Sequence, residues 1–191
     1  MIFAPPYYVF ENVIPSAVLD VIDDEATRLK MFPGRIGPDN GQEHAHTRSS
    51  VVGFFSHDHW INGLLYHYAA IANARSWRFS LIAPSPAQYA IYRENGHYGW
   101  HSDYAQMSQG QAVERKITAV LELTDPGDYR GGDLELRPAW ADPLAPAEGP
   151  LKGVGKGSII AFPSLTPHQV ASVTEGERRT VTSWIVGPPL T

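Results

Sequence analysis

Apolar residues in the first third of the chain recur at helical spacing and predict two helices. The first begins at Ser16, which can cap it, and ends at Pro33 and Gly34, where the chain cannot continue a helix. The second begins near Ser56. The apolar positions are Val18, Leu19, Ile22 and Leu29 in the first helix and Trp60, Leu64, Tyr68 and Ile71 in the second. The stretch 34–47 between them, rich in Gly, Asn and His, is a predicted loop.

Beyond Pro84 the pattern changes to short β-forming runs separated by turn sequences such as ENG, TDPGD and TEG. Many short strands with such turns are typical of an antiparallel sandwich or barrel. We therefore expect a mainly β fold with N-terminal helices, a double-stranded β-helix (jelly roll) supported by helices on one face. A single domain of residues 1–191 would divide into a helical support region at 1–83 and a jelly-roll catalytic core at 84–191. The predicted strands are 88–93, 98–103, 116–123, 132–138, 157–163, 168–173 and 178–186.

Composition narrows the classes of function. The chain has 191 residues, 43% of them apolar and 18% charged, and a net charge of −5 without a basic run. We therefore expect neither a nucleic-acid nor a membrane partner. The absence of cysteine excludes disulfides, thiolate zinc sites and cysteine nucleophiles. The N-terminus lacks a basic region and no apolar run approaches transmembrane length, which predicts a cytoplasmic protein.

The candidate chemistry begins with His101 and Asp103, two residues apart in a predicted strand. At a period of two, both side chains leave the same face. Alone the pair is more typical of a solvated surface, but a distant histidine would complete the 2-His-1-carboxylate set that suits Fe(II). A jelly roll can bring His168 onto the same inner face. Arg178, on a strand expected to neighbour that of His168, could hold a carboxylate through two hydrogen bonds. Thr180 shares the face of Arg178 and can add a hydroxyl.

Four blocks in this order, within residues 85–186, resemble the prolyl-4-hydroxylase-like (PKHD-type) branch of the Fe(II)/2-oxoglutarate oxygenases. The blocks are QYAIYRENGHYGWHSD, GGDLEL, GKGSIIAFPSLTPHQV and VTEGERRTVTSW. The resemblance implies that His101, Asp103 and His168 bind iron. It also implies that Arg178 binds the distal carboxylate of 2-oxoglutarate and that Tyr92 lines the same pocket.

The resemblance implies hydroxylation of an unactivated C–H bond, with 2-oxoglutarate and O2 as cosubstrates, release of succinate and CO2, and ascorbate as a further candidate cofactor. A prolyl or other peptidyl residue is the suggested substrate. The carboxylate of Asp103 argues for hydroxylation, because halogenating relatives carry a small residue there. The alternatives are the same chemistry on a free amino acid or small metabolite, a non-catalytic jelly-roll binding module, and a zinc hydrolase, which would have no use for Arg178. The sequence leaves the oligomeric state open.

Several other histidines and arginines could have a functional or a structural role. His44 and His46 have ligand spacing but lie in a polar loop without an acid in register, and His59 precedes the second helix, where it can cap. Arg48 is either structural or part of the pocket. Arg179 points away from Arg178 and is the better candidate for a surface salt bridge.

Two tryptophans and two loops complete the candidates. Trp100 and Trp184 lie on or beside the key strands, and core packing is the favoured role for both. The segments 104–113 and 138–156 are candidate lids, since long loops beside a site are commonly functional.

Overall fold

The structure, a computed structural model, describes residues 5–34, 47–104, 113–137 and 148–189. Within those ranges the chain forms two α-helices, a π-helical turn and fifteen strands. The helices are α1 (Ser16–Ala26) and α2 (Trp60–Ala72), followed by the π-helical turn Asn73–Trp77. The strands are β1 Tyr8–Phe10, β2 Phe32–Pro33, β3 Arg48–Ser49, β4 Val51–Phe54, β5 Ala83–Pro84, β6 Gln88–Tyr92, β7 His97–His101, β8 Glu114–Glu122, β9 Tyr129–Gly131, β10 Leu134–Leu136, β11 Glu148–Leu151, β12 Ile159–Pro163, β13 His168–Val170, β14 Val173–Gly176 and β15 Arg178–Gly187.

The strands form two antiparallel sheets. In the described residues the major sheet has the order β1-β12-β8-β15-β6-β4-β2, with β5 also paired to β15, and the minor sheet has the order β11-β10-β13-β7-β3. A short ribbon pairs β14 with β9. Neighbouring strands come from distant parts of the chain, as a jelly roll requires, and the predicted fold class is confirmed.

The outer face of the major sheet is covered by the two helices. Alternate residues of β8, β12 and β15 point to this face and are apolar, because the side-chain period of a strand is two. They pack with apolar residues of α1 and α2 into the larger core. Its members include Leu19 and Ile22 of α1, Ile61, Leu65 and Ala69 of α2, Ile117, Ala119 and Leu121 of β8, Ile159 and Ala161 of β12, and Val181 and Ile185 of β15.

The inner face of the major sheet looks toward the minor sheet. A second apolar cluster joins the two sheets, with Val120, Ile160 and Phe162 on the major side and Leu134, Leu136 and Val170 on the minor side. Most of the buried polar residues of β8 and β15 also lie on this inner face, so the space between the sheets combines an apolar floor with polar groups. This arrangement positions the candidate site.

The N-terminal third differs in detail from the sequence prediction. Both helices exist, but four strands, β1 to β4, also come from this region and join the sheets. The buried residues of α2 are Ile61, Asn62, Leu65, Ala69 and Ala72. Of the predicted face, Leu64 and Tyr68 are partly buried against the same core, whereas Trp60 is exposed, so the prediction for Trp60 was wrong. Among the described residues, no helix has the length and apolar character needed to cross a membrane.

Candidate active site

Three predicted metal ligands converge at one end of the space between the sheets. His168 of β13 lies directly opposite His101 of β7 in their antiparallel pairing, and Asp103 follows β7 by two residues. His168 Nε2 is 3.5 Å from Asp103 Oδ2, and His101 Nε2 is 3.9 Å from Asp103 Oδ1. Candidate ligand atoms of the three residues all lie within 4.8 Å of one another. Two imidazoles and one carboxylate form the donor set that suits Fe(II) with open coordination positions.

Backbone carbonyls orient both imidazoles. His101 Nδ1 lies 2.8 Å from the carbonyl oxygen of Gly99, and His168 Nδ1 lies 2.9 Å from that of Thr166. A carbonyl can only accept, so each Nδ1 carries the hydrogen and each Nε2 keeps its lone pair for a metal. Such contacts fix the tautomer and the ring plane of a ligating histidine. The residues therefore fit an iron ion without rearrangement of their hydrogen bonds.

His101 is also held by a stack of side chains. The ring of Tyr98 lies parallel to that of His101, with 3.5 Å between centroids, and the guanidinium of Arg48 lies 4.5 Å from the Tyr98 centroid. Arg48 donates to Gln88 Oε1 at 2.8 Å and to Ser50 Oγ at 2.9 Å. Burial and the neighbouring His168 lower the pKa of His101 to about 3. The ring is therefore neutral at ordinary pH, as a metal ligand must be.

Asp103 is held by polar neighbours from the major sheet. Thr118 of β8 donates a 2.6 Å hydrogen bond to Asp103 Oδ2, and its hydroxyl lies 3.1 Å from Ser164 Oγ. Burial opposes ionisation of Asp103, but the charge of Arg115 and the hydrogen bond from Thr118 favour it, and the pKa of this carboxyl is lowered. The carboxylate is therefore ionised and fixed in place.

A cavity of about 590 Å³ extends from the three ligands toward Arg178. Arg178 is only 2% exposed, and its guanidinium carbon lies 5.8 Å from the ring centroid of Tyr92. Thr180 lines the cavity beside it. The prediction that β15 neighbours the strand of His168 was wrong, because β15 belongs to the major sheet and β13 to the minor sheet. Arg178 therefore reaches the cavity from the opposite sheet.

Arg178 has an acidic partner that the sequence analysis did not identify. Glu122 of β8, also 2% exposed, accepts a 2.5 Å hydrogen bond from Arg178 Nη2. Burial opposes the charged form of Arg178, but the carboxylate of Glu122 outweighs it and raises the pKa of Arg178. Arg179, by contrast, pairs with Asp23 of α1 at 2.9 Å on the outer face, as its opposite orientation predicted.

Two hydrogen-bond donors in the cavity wall make no hydrogen bond within the described part of the chain. They are Arg115 Nη1 and Trp184 Nε1, both buried. Arg115 stacks on Trp184, with its guanidinium carbon 4.0 Å from the ring centroid, and its Nη1 lies 3.8 Å from Asp103 Oδ1. Buried donors of this kind usually have a partner, so both atoms are candidates to bind an acceptor oxygen of a ligand.

Other sequence predictions have mixed outcomes. Trp100 is 39% exposed and lies against Arg137 rather than in the core, so its predicted packing role was wrong. Trp184 lines the cavity, and so does Arg48. His59 caps α2 by accepting from the amide of Ile61 at 3.3 Å. His44, His46, residues 105–112 of one candidate lid and residues 138–147 of the other lie outside the described residues.

Three polar residues of the site, Thr118, Glu122 and Arg115, were not predicted from the sequence. Thr118 and Glu122 occupy alternate positions of the apolar strand 116–123, a pattern that could have revealed a polar inner face. Arg115 is an odd-numbered position of β8, whereas Thr118 and Glu122 are even-numbered, so regular alternation would direct Arg115 to the outer face. The pairing of β8 with β15 is irregular between Ile117 and Arg115, and such a bulge changes the direction of the side chains beyond it.

Comparison with known families and proteins agrees with this geometry. Residues 87–186 match the model of the 2OG-Fe(II) oxygenase superfamily. A PKHD-type hydroxylase of Teredinibacter turnerae is 33% identical over 102 residues, which cover 52% of this chain and 42% of that protein. A PKHD-type hydroxylase of Sphingopyxis alaskensis is 36% identical over 120 residues, covering 61% and 51%. The chain thus spans about half the length, or less, of these curated relatives.

Solved structures show the same fold. A prolyl-4-hydroxylase of Pseudomonas putida superimposes with a TM-score of 0.66 at 20% identity, covering 94% of this chain and 91% of that one. A prolyl hydroxylase of Trichoplax adhaerens, in complex with a peptide fragment of hypoxia inducible factor, gives a TM-score of 0.70 at 15% identity, covering 94% and 83%. At these identities the likeness establishes the jelly-roll architecture alone.

Proposed function

The chain belongs to the 2OG-Fe(II) oxygenase superfamily, and we propose that it is an Fe(II)- and 2-oxoglutarate-dependent dioxygenase that hydroxylates an unactivated C–H bond. The observation that carries this proposal is the convergence of His101, Asp103 and His168 at one end of a cavity that also contains Arg178. His101, Asp103 and His168 would hold the iron, and Arg178 the distal carboxylate of 2-oxoglutarate, with Tyr92 and Thr180 beside it.

The bound iron and 2-oxoglutarate supply the oxidising power, with consumption of O2 and release of succinate and CO2. The protein itself binds, orients and encloses the reactants. Gly99 and Thr166 keep both imidazoles in the ligating tautomer, and Thr118 holds the carboxylate of Asp103. The apolar residues between the sheets limit the access of water to the cavity.

A prolyl or other peptidyl residue is the substrate we propose. Arg115 Nη1, which lies 3.8 Å from Asp103 Oδ1, and Trp184 Nε1 are buried donors in the cavity wall, and both suit the carbonyl oxygen of a peptide backbone. PKHD-type hydroxylases among the relatives and a peptide-bound prolyl hydroxylase among the structural neighbours support this choice. The charge of Arg115 also suits the carboxylate of a free amino acid or small metabolite, the second candidate class.

A titration tests the cofactor assignment. We expect anaerobic addition of Fe(II) and 2-oxoglutarate to produce the weak visible absorption band of the metal chelate. His101→Ala should abolish the band, and Arg178→Ala should require far more 2-oxoglutarate. A wild-type protein that binds metal but gives no band would contradict the oxygenase assignment and favour a zinc hydrolase or a binding module.

A second experiment tests the substrate class. Proline-containing peptides and free amino acids would be compared as stimulants of succinate formation, and the products would be examined by mass spectrometry for the gain of one oxygen atom. Oxygen gain in the peptides alone would support the peptidyl substrate, and gain in the free amino acids alone would contradict it. The role of ascorbate, the division at residue 84 and the cytoplasmic location stay predictions.

A further inference from the structure

Glu122 lies in an unusual position for a carboxylate. It occupies the inner face of β8, opposite Thr180 of β15, and its Oε1 accepts from Arg178 Nη2 at 2.5 Å. Its other oxygen, Oε2, is buried and makes no hydrogen bond within the described residues. A buried oxygen without a donor is costly, and such groups in a folded protein call for an explanation.

The pair neutralises the guanidinium that the cosubstrate would use. Among the described residues, the other ionisable side chains close to Arg178 are Tyr129 and Tyr92. Burial raises the pKa of the Tyr129 phenol, so Tyr129 adds no negative charge beside Arg178 at neutral pH. An incoming carboxylate at Arg178 therefore meets an ion pair rather than a lone cation. It also meets the like charge of Glu122 in a region where water screens little.

We propose that Glu122 is a positioning residue of the cosubstrate site, which holds the guanidinium of Arg178 in place and keeps the affinity for a dicarboxylate low by balancing its charge. The inference rests on the proposed function, because it assigns the distal carboxylate of 2-oxoglutarate to Arg178. Because the affinity is kept low, the fraction of protein that carries 2-oxoglutarate depends on the concentration of 2-oxoglutarate.

The two parts of this role respond differently to substitution. Glu122→Gln keeps an oxygen that accepts from Arg178 but removes the charge, so 2-oxoglutarate should bind roughly tenfold more tightly. Glu122→Ala also removes the acceptor, so the guanidinium is no longer held and affinity should fall below that of Glu122→Gln. 2-Oxobutyrate is a 2-oxo acid that lacks the distal carboxylate, so it places no charge beside Arg178. Its affinity should change little in either variant.

The experiment is anaerobic isothermal titration of the Fe(II)-loaded protein with 2-oxoglutarate and with 2-oxobutyrate. Glu177→Gln serves as the control, because it removes the same charge from a partly exposed position next to Arg178 in sequence, where Glu177 pairs with Arg93. Wild type, Glu122→Gln, Glu122→Ala and Glu177→Gln are compared by the ratio of the two affinities, which a general structural change would not shift.

A gain for 2-oxoglutarate alone, seen in Glu122→Gln and absent in Glu177→Gln, supports the proposal even if Glu122→Ala fails to fold. Equal affinity ratios in wild type and Glu122→Gln, or weaker 2-oxoglutarate binding in Glu122→Gln, overturn it while leaving the proposed function intact. If neither 2-oxo acid binds to wild type or to Glu122→Gln, the cosubstrate assignment fails and this inference fails with it.

Discussion

The two faces of the major sheet are built from the same strands and serve different purposes. On the outer face of β8 and β15, Ile117, Leu121 and Val181 are fully buried against the helices. On the inner face, Thr118 and Arg178 are equally buried but polar, and they line the cavity. Because side chains alternate along a strand, neighbouring residues of one strand face either the helices or the cavity.

Arg178 and Arg179 show this division most directly. Arg178 points inward and pairs with Glu122, whereas Arg179 points outward and pairs with Asp23 of α1. Burial alone therefore does not distinguish the two faces. What distinguishes the functional face is buried polarity with hydrogen-bonding groups directed into a cavity. Substitutions on the two faces should therefore separate stability from ligand binding.

The largest effect is expected at the three proposed metal ligands. His101→Ala removes one of three ligand atoms, so Fe(II) binding and substrate hydroxylation should fall below detection while the thermal unfolding midpoint of the metal-free protein changes little. Metal content and succinate formation measure these outcomes. His97→Ala, in the same strand but outside the ligand set, is the control and should retain metal. Metal retained at full stoichiometry by His101→Ala would contradict the assignment.

On the outer face we expect the opposite outcome. Leu121→Ala leaves a cavity under the helices and should lower the free energy of unfolding by about 3 kcal/mol. Urea denaturation measures the loss. The affinity for Fe(II) and 2-oxoglutarate should stay within about twofold of wild type at a temperature where the variant is folded, because the side chain of Leu121 packs on the face away from the cavity. A large loss of cosubstrate affinity would show that the two faces are coupled.

These contrasts also show how much the sequence predicts. The strand pattern, the three candidate ligands and Arg178 follow from local periodicity and family resemblance. His101, His168 and Arg178 lie in strands, and Asp103 follows His101 by two residues, just beyond the end of β7. Arg115 does not, since a bulge in β8 changes its direction. Strands β2 and β3, with two residues each, arise only from pairing with β4 and β7 and leave no local pattern. The pairing of Glu122 with Arg178 depends on the register of β8 against β15, which the sequence alone does not give.

The next largest effect is expected on 2-oxoglutarate affinity when Arg178 is replaced, with its neighbour Arg179 as the comparison. Arg178→Gln should weaken 2-oxoglutarate binding roughly a hundredfold, because a charge-assisted hydrogen bond to a carboxylate is lost. Arg179→Gln should leave it nearly unchanged. Because Arg178→Gln leaves Glu122 buried without its cation, the double variant Glu122→Gln/Arg178→Gln is the control for instability. Titration calorimetry measures all three, and equal losses in Arg178→Gln and Arg179→Gln would remove the distinction between the faces.

The substitution with the smallest expected effect tests whether the polar residues of the inner face act on the proposed metal ligands. Thr118→Val keeps the shape of the side chain but removes the 2.6 Å hydrogen bond to Asp103 Oδ2, so the affinity for Fe(II) should fall by about tenfold. Ser183→Ala removes a hydrogen bond from a residue of β15 that faces away from the cavity, to the carbonyl of Ser85, and is the matched control. Competition with a metal chelator measures both affinities. If Thr118→Val lowers only the unfolding midpoint and leaves the metal affinity unchanged, Thr118 stabilises the fold in the same way as the residues of the outer face. A buried polar residue on the inner face is then not by itself evidence of a functional role.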